Sequence, residues 1–468
     1  MKYTKLSILA LASAGLFSAC SKLDQDPQLS LSDQVAVTED NARILANGMY
    51  ERMQTLEYYG RDFLIVSDLG GIDMKITSQN SNRFTTEFQM NYTPLVAPQT
   101  NTFLNAYRVV NQANVLIVKM PETAKTSTIR GEAYFLRALA ELDLAKRYTR
   151  PYTNVDAKVT SPNTGITLVT TTPDAPATAK PGRSTLEETY TAIINDLKVA
   201  QQTAPDAKPN TAAVFKASKD AATALLTRVY VYKGQWQLAI DEATKLIGKY
   251  PLYEPALVAG AFNKDEAGSE EIFSLRFLTP DGAGSNNFGY LYVPASKGGY
   301  GDVRLTDEFM GLLDPKDVRL GYTLNLDGSN YLMKFSGNPA TGQVGLVNVK
   351  IARISEVLLN RAEAYAELGN LQKATDDINL LRAKRGLDPF TDVAKVKAEI
   401  VKQRRLELVG EGFGMTDLYR KNGTRNITDA NALSTRKTEP NDIRVAYPIP
   451  QAEMDANPNM VQNPGYSN

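Results

Sequence analysis

Two widely separated stretches, LLTRVYVYKGQWQLAIDEATKLI and LLNRAEAYAELGNLQKATDDINLL, carry one pattern. Aligned on Gly234 and Gly369, they match Tyr230 with Tyr365, Trp236 with Leu371 and Ala239 with Ala374. In each, an apolar helical stretch with a large residue runs into a glycine turn. A second helix follows, with a small alanine where it must approach the first closely. Such hairpins stack on their neighbours, so this pattern limits the fold more than any other feature of the chain.

The pattern is that of the tetratricopeptide repeat, in degenerate form. Most of the chain from Asn41 onward keeps helical period, and RGEAYFLRALAELDLAKRY puts Ala133, Leu136, Ala140 and Leu144 on one stripe, with Arg137 and Glu141 four apart beside it. The expected fold class is mainly α: a tetratricopeptide-repeat helical scaffold with a loop-rich irregular subdomain that contains short strands. The repeat also gives the single tryptophan a packing slot, so Trp236 is expected in the core rather than as a sugar platform.

Two regions break the period. The stretch TRPYTNVDAKVTSPNTGITLVTTTPDAPATAKPGRS is rich in Thr and Pro and reads as extended chain crossing the surface. The second, residues 252–349, mixes turn signals such as DGAGSNN and LDGSN with strand-like runs such as EIFSLRF. Loops of this length in a compact protein usually bind something. The expected division is an N-terminal helical region at 41–251, a loop-rich ligand face at 252–349 and a C-terminal helical region at 350–468.

The N-terminus has its own logic. Lys2 and Lys5 precede an apolar run from Leu6 to Phe17, then small Ser18 and Ala19, then Cys20, the only cysteine. This reads as a secretory signal at 1–19. The run spans roughly 18 Å as a helix, short of the roughly 30 Å needed to cross a bilayer. A thiol directly after two small residues resembles a bacterial lipobox, so Cys20 is the expected lipidation point. Residues 20–40, polar and aspartate-rich, then form a tether. Acyl chains contribute about 0.8 kcal/mol per buried methylene, enough to anchor a protein that has no spanning segment.

Composition excludes several functions. Lys plus Arg equal Asp plus Glu at 52 each, and loss of Lys2 and Lys5 leaves 50 against 52, which argues against nucleic acid. The chain has no histidine, which removes histidine triads and the commonest zinc ligand. No EF-hand spacing is present and no metal or cofactor is expected. Glycine-rich KGGYG and DGAGSNN lack phosphate-loop spacing and read as mobile loops.

Ten segments in order resemble the SusD/RagB family of surface lipoproteins over nearly the whole chain. They are the cysteine, RGEAYFLRALAELDLAKRY, RSTLEETYTAIINDL, ALLTRVYVYKGQWQLAI, EEIFSLRF, DPKDVRL, RISEVLLNRAEAYAELGN, INLLRAKRGL, RRLELVGEGFGMTDLYRKNG and YPIPQAEMDANPNMVQNPGY. The resemblance implies a helical fold on tetratricopeptide units, a loop-rich face that binds glycans or, in some members, peptides, and a TonB-dependent transporter barrel of the SusC type as partner. SKLDQD after Cys20 resembles the family's surface-export signals, which implies the outer face of the outer membrane. Gln403 and Lys421 depart from the family pattern, where glutamate and tryptophan are common.

Catalysis has one candidate pair, Glu407 and Glu411, four apart on a helix, a spacing that could approach that of a retaining glycosidase. They share a face with Arg404, however, and are read instead as a charged network joining the last helices, so no enzyme is expected. Sugar rings pack C–H faces on aromatic rings and need polar partners for their hydroxyls. Two segments concentrate such residues: one with Tyr58, Tyr59, Asp73, Asn80 and Arg83, the other with Phe288, Tyr290 and Tyr292. These eight are the candidate ligand residues, although the alternation in FGYLYV also suits an ordinary strand. The expected function is capture of an oligosaccharide for a transporter, with oligopeptide cargo, a surface glycosidase or peptidase, or a pure scaffold as alternatives.

Overall fold

Helical sequence is used in hairpins, and hairpins are stacked on hairpins. The computed structural model describes residues 37–172, 180–338 and 341–467. The signal segment, Cys20 and the tether as far as residue 36 lie outside the described residues. Helices of seven residues or more are α1 Ala42–Met53, α2 Asp62–Leu69, α3 Ala97–Lys119, α4 Ala124–Tyr148, α5 Leu186–Thr203 and α6 Lys219–Lys233. They continue with α7 Trp236–Leu246, α8 Ile354–Glu367, α9 Leu371–Lys384, α10 Val396–Leu408 and α11 Gly414–Arg420. None of the helices in the described residues is long and apolar enough to cross a membrane.

Their starts are written in the sequence. Thr123 opens α4 and Thr185 opens α5 with reciprocal capping boxes, and the Ser218 side chain accepts the Ala221 N–H at the start of α6. The stripe on α4 is fully covered, with Ala133, Leu136, Ala140 and Leu144 all at most 1% exposed.

From α3 to α7 each helix packs on the next, and α8 packs on α6 and α7 as well as on α9 and α10. The two repeat hairpins, α6–α7 and α8–α9, are therefore direct neighbours although a long loop region separates them in the chain. Their turns are superimposable in hydrogen bonding. Gly234 and Gly369 have φ of 72° and 79°. The following N–H, of Gln235 or Asn370, reaches back to the carbonyl of Tyr230 or Tyr365 at 2.8 Å in both. This is the Schellman closure that a glycine permits. Ala239 and Ala374 are fully buried where the second helices approach. Leu358, Leu359, Ala362, Ala374, Ile378 and Ile400 belong to the core that joins α8, α9 and α10.

Trp236 differs from its expected place. It is half-buried, its ring lying over the Gly234 turn with the Lys421 ammonium 5.8 Å from the ring centroid. It is the first residue of α7, at the rim of the hairpin, where only one face of an indole can be covered.

The described residues form three two-stranded antiparallel sheets. β1 (Met74–Ile76) pairs with β3 (Val303–Leu305), β2 (Glu271–Leu275) with β6 (Val349–Arg353), and β4 (Thr323–Leu326) with β5 (Ser329–Leu332). The last is a hairpin whose Asp327–Gly328 turn has φ of 48° and 71°, the pair of positive values such a turn demands. EIFSLRF supplies β2 as its pattern predicts, but FGYLYV is not a strand. Residues Phe288–Leu291 form a 3₁₀ turn that brings Gly289 so close to the Phe335 carbonyl that a Cβ there would stand 1.7 Å from it.

Gly369 tests the turn geometry cleanly, since an added Cβ would meet nothing within 4 Å. Gly369→Ala is expected to cost about 1 kcal/mol in thermal unfolding through backbone strain alone, and Gly369→Asn less. An unchanged melting curve for the alanine variant would contradict the assignment.

Candidate functional site

Strand pairing assembles a site from two distant loops. Ile76 lies opposite Val303, so the chain leaving β1 runs beside the chain entering β3. The backbone N–H of Ser81 donates to Asp302 Oδ1 at 3.0 Å and the Ser81 hydroxyl donates to Oδ2. Two residues on, the Arg83 guanidinium lies over the Tyr300 ring, 4.0 Å from its centroid, and donates to the Tyr300 hydroxyl at 3.2 Å. Asn82 and Phe84, on either side of Arg83, are both left-handed, with φ of 60° and 56°. For a phenylalanine this is strained backbone, the kind that persists where surrounding contacts hold a functional group in place.

Tyr300 is turned toward a second ring. Gly298 and Gly301 take φ of 90° and 62°, and the Tyr300 N–H donates to the Tyr290 carbonyl at 2.8 Å. The two tyrosine rings then meet edge to face, 4.8 Å apart and inclined at 67°, both partly exposed. Hydrogen bonds from Ser285 and Arg83 hold the Tyr300 hydroxyl below the usual phenol range. On the same turn Asn286 accepts from Arg61 at 2.8 Å. Behind it lies a cavity of about 60 Å³ lined by Gln54, Asn286, Asn287 and Phe288 among others. The arrangement offers stacking surface, amides and hydroxyls on one face, which suits a polyhydroxylated ring.

Of the sequence-predicted residues, Asn80, Arg83 and Tyr290 come together here. Asn80 shapes the turn, donating to the Thr77 carbonyl at 2.5 Å and accepting from Asn82 N–H at 2.6 Å. The other five do not join them. Tyr58 and Tyr59 are at most 3% exposed, and both hydroxyls donate to Asp143 Oδ2 at 2.7 Å. Burial, reinforced by the Asp143 charge, pushes both phenols far above their usual range, and rings with no open face are no platform. Phe288 and Tyr292 are buried against Phe335, because the 3₁₀ turn at 288–291 directs both inward. Asp73 is held by Arg405 at 2.6 Å. It lies instead on a separate cleft of about 210 Å³, whose lining includes Asp68, Met74, Leu408, Phe413 and Leu418. Sequence reasoning missed Tyr300 and Ser285; the glycines around Tyr300 in KGGYG were the available signal.

Among the carboxyls whose pKa burial raises, Asp68 and Glu141 reach the range that acid catalysis uses. Burial pushes Asp68 up to about 7 against the pull of the Gly412 and Gly414 N–H groups, and pushes Glu141 up to about 8. Glu141 is buried in α4, and both Asp68 oxygens already accept backbone N–H bonds. The pair Glu407 and Glu411 is part of a charged network, but not on one helix face with Arg404: α10 ends at Leu408, so Glu411 stands in the turn beyond it, and Arg404 pairs with Asp417 at 3.0 Å. Arg353 contacts Glu407 at 2.6 Å and Glu411 at 2.7 Å, Arg385 contacts Glu407 at 2.7 Å, and Lys334 contacts Glu411 at 2.6 Å. Burial alone would raise Glu407, but Arg385, Arg353 and Arg319 outweigh it and hold the carboxyl well below the usual range. A glycosidase acid must instead keep its proton near neutrality and face a substrate.

Two family models match this chain: residues 322–466 fit that of the SusD family, and residues 23–231 fit one described as starch-binding associating with outer membrane. The chain belongs to the SusD/RagB family. A SusD superfamily protein from Bacteroides thetaiotaomicron is 29% identical with a TM-score of 0.81, covering 92% of this chain and 100% of that one. A Bacteroides vulgatus protein provisionally described as sugar-binding is also 29% identical, with a TM-score of 0.82 over 93% of this chain and 100% of that one. SusD-like protein P2 from Formosa agariphila is 24% identical over the full length of both. The mainly helical SusD fold is thus shared along the chain, short paired strands included.

Because three guanidiniums depress Glu407, its contribution is complete above the ordinary carboxylate pKa and is lost as pH falls through the lower folded value. Glu407→Gln is expected to cost about 3–5 kcal/mol at pH 7 by leaving buried cations unpaired, and the gap to the parent should narrow below about pH 4. Urea unfolding across pH measures both, and a constant small gap would contradict the assignment.

Proposed function

We propose that this SusD/RagB protein is a lipid-anchored, non-enzymatic binding subunit that captures an oligosaccharide and delivers it to a TonB-dependent outer-membrane transporter of the SusC type. The observation that carries the reading is the Tyr290–Tyr300 pair. It is a partly exposed edge-to-face platform with Arg83 stacked upon it, on loops held by β1–β3 pairing. The description of the family model over 23–231, starch-binding and associating with the outer membrane, supports the same role. Cys20, next to small residues at the end of an apolar run, would be the anchor, and the acidic stretch after it favours the extracellular side. The carboxylate pair most like a hydrolase is locked by cations, which favours binding over turnover.

Calorimetry of the full chain in detergent against oligosaccharide and oligopeptide pools tests this, with the pools then checked for cleavage. Uncleaved glycan binding is expected, weakened by about 1 kcal/mol, roughly fivefold, in Tyr290→Ala and in Tyr300→Ala. Tyr58→Ala should instead lower stability, since Tyr58 is fully buried. Peptide binding would replace the cargo and keep the architecture, whereas cleavage would sink the non-enzymatic reading.

A further inference from the structure

The charges around the tyrosine pair are arranged unevenly. Asp302 is only 2% exposed and its oxygens are taken up by Ser81. Asp62 is buried and paired with Arg61 at 2.7 Å. Arg304, beneath the loop, donates to the carbonyls of Gly301 and Gln79 and to the Ser329 hydroxyl, and has no carboxylate within ion-pair distance among the described residues. Asp281, behind the Asn286 turn, is exposed, but its carboxylate accepts the Leu278 N–H at 2.7 Å. Beside the rings the exposed charges are cations: Lys297 stands on the turn that carries Tyr300, and Arg83 keeps 32% of its side chain exposed. The carboxylate facing Arg83 is that of buried Asp302, at the long ion-pair distance of 4.0 Å. Its hydrogen bonds go to the Ser81 and Tyr300 hydroxyls, so Nε–H and further guanidinium N–H groups remain open beside the rings.

The hydroxyls of a neutral ring laid over the tyrosines would accept from this cation, but each such bond is weaker than one to an ionised acceptor. An oxyanion would replace the cation's water contacts with charge-assisted bonds, and the flat, stacked guanidinium is already oriented to give them. Resting on the reading of Tyr290 and Tyr300 as a sugar platform, we infer that the cargo is an anionic glycan, its ring on the tyrosine pair and its carboxylate or sulfate held by Arg83, with Lys297 nearby. The strained backbone at Asn82 and Phe84 serves this arrangement by fixing Arg83 over the ring instead of leaving it to sample solvent.

The test compares matched ligands that differ only in charge, by calorimetry on the full chain: oligogalacturonides against their methyl esters, and sulfated galactan oligosaccharides against their desulfated forms. The charged member of one pair should bind about tenfold tighter or more, with an advantage that shrinks as salt is raised. The responding pair identifies the anion as carboxylate or sulfate. Arg83→Met should abolish the preference and Arg83→Lys retain part of it, both with parental melting curves. If Arg83→Met fails to fold, the charged-against-neutral ratio and its salt dependence in the parent protein decide. Equal binding of charged and neutral forms, or binding of neutral glucans alone, would overturn the anionic assignment and leave the sugar-binding role standing. Silence toward every glycan would overturn both.

Discussion

One buried ionic network holds the loop-rich region to the helical scaffold. Glu270, Asp317, Glu407 and Glu411 face Arg319, Arg353, Arg385 and Lys334, and their side chains are at most 4% exposed. Arg353 alone touches Glu270, Glu407 and Glu411. Each of these ions costs several kcal/mol to desolvate, so the cluster persists only because every charge meets its opposite and further hydrogen bonds. Lys334 also donates to the Glu407 and Val409 carbonyls, and neutral Gln403 accepts from Arg319 at 2.7 Å. The contributors come from the entry to β2, the 3₁₀ turn at 318–322, the end of β5, the end of β6, the end of α9 and the end of α10. The network's contacts join the loop region to the ends of α9 and α10.

The proposed ligand face inherits its placement from these contacts step by step. β2 is fastened by Glu270 and by pairing with β6. Lys334 fixes the residues after β5, and the Ser329 side chain at the start of β5 receives Arg304 of β3 at 2.9 Å. β3 then sets β1, and the loops beyond that pair carry Arg83 and Tyr300. Side chains far from the tyrosines thus decide where the tyrosines stand. The helical hairpins supply the rigid backing, since α8 contacts α6, α7, α9 and α10 at once.

How much of this could be read from the sequence follows the range of the interactions. The hairpin turns were legible because a Schellman closure is local: Tyr230, Gly234 and Gln235 contain all of it, as do Tyr365, Gly369 and Asn370. The caps at Thr123, Thr185 and Ser218 are local for the same reason. The ionic role of Glu407 and Glu411 was legible from the basic residues beside them, but neither their partners nor the end of α10 at Leu408, which leaves Glu411 off the helix, was. The fate of Tyr58 and Tyr59 was illegible, because it depends on Asp143, over eighty residues away. Phe288 and Tyr292 alternate as a strand would, and their inward direction depends on packing against Phe335, more than forty residues away. Tyr300 was missed because its meeting with Arg83 depends on a strand pair whose members lie more than two hundred residues apart.

The most direct check on the account is a crystal structure of the protein with a bound oligosaccharide chosen from the calorimetric panel. The expected result is a sugar ring stacked against Tyr290 and Tyr300, with a polar or anionic substituent within hydrogen-bond reach of Arg83. A ligand seated instead in the cleft beside Asp68 and Phe413, with the tyrosine pair bare, would contradict it.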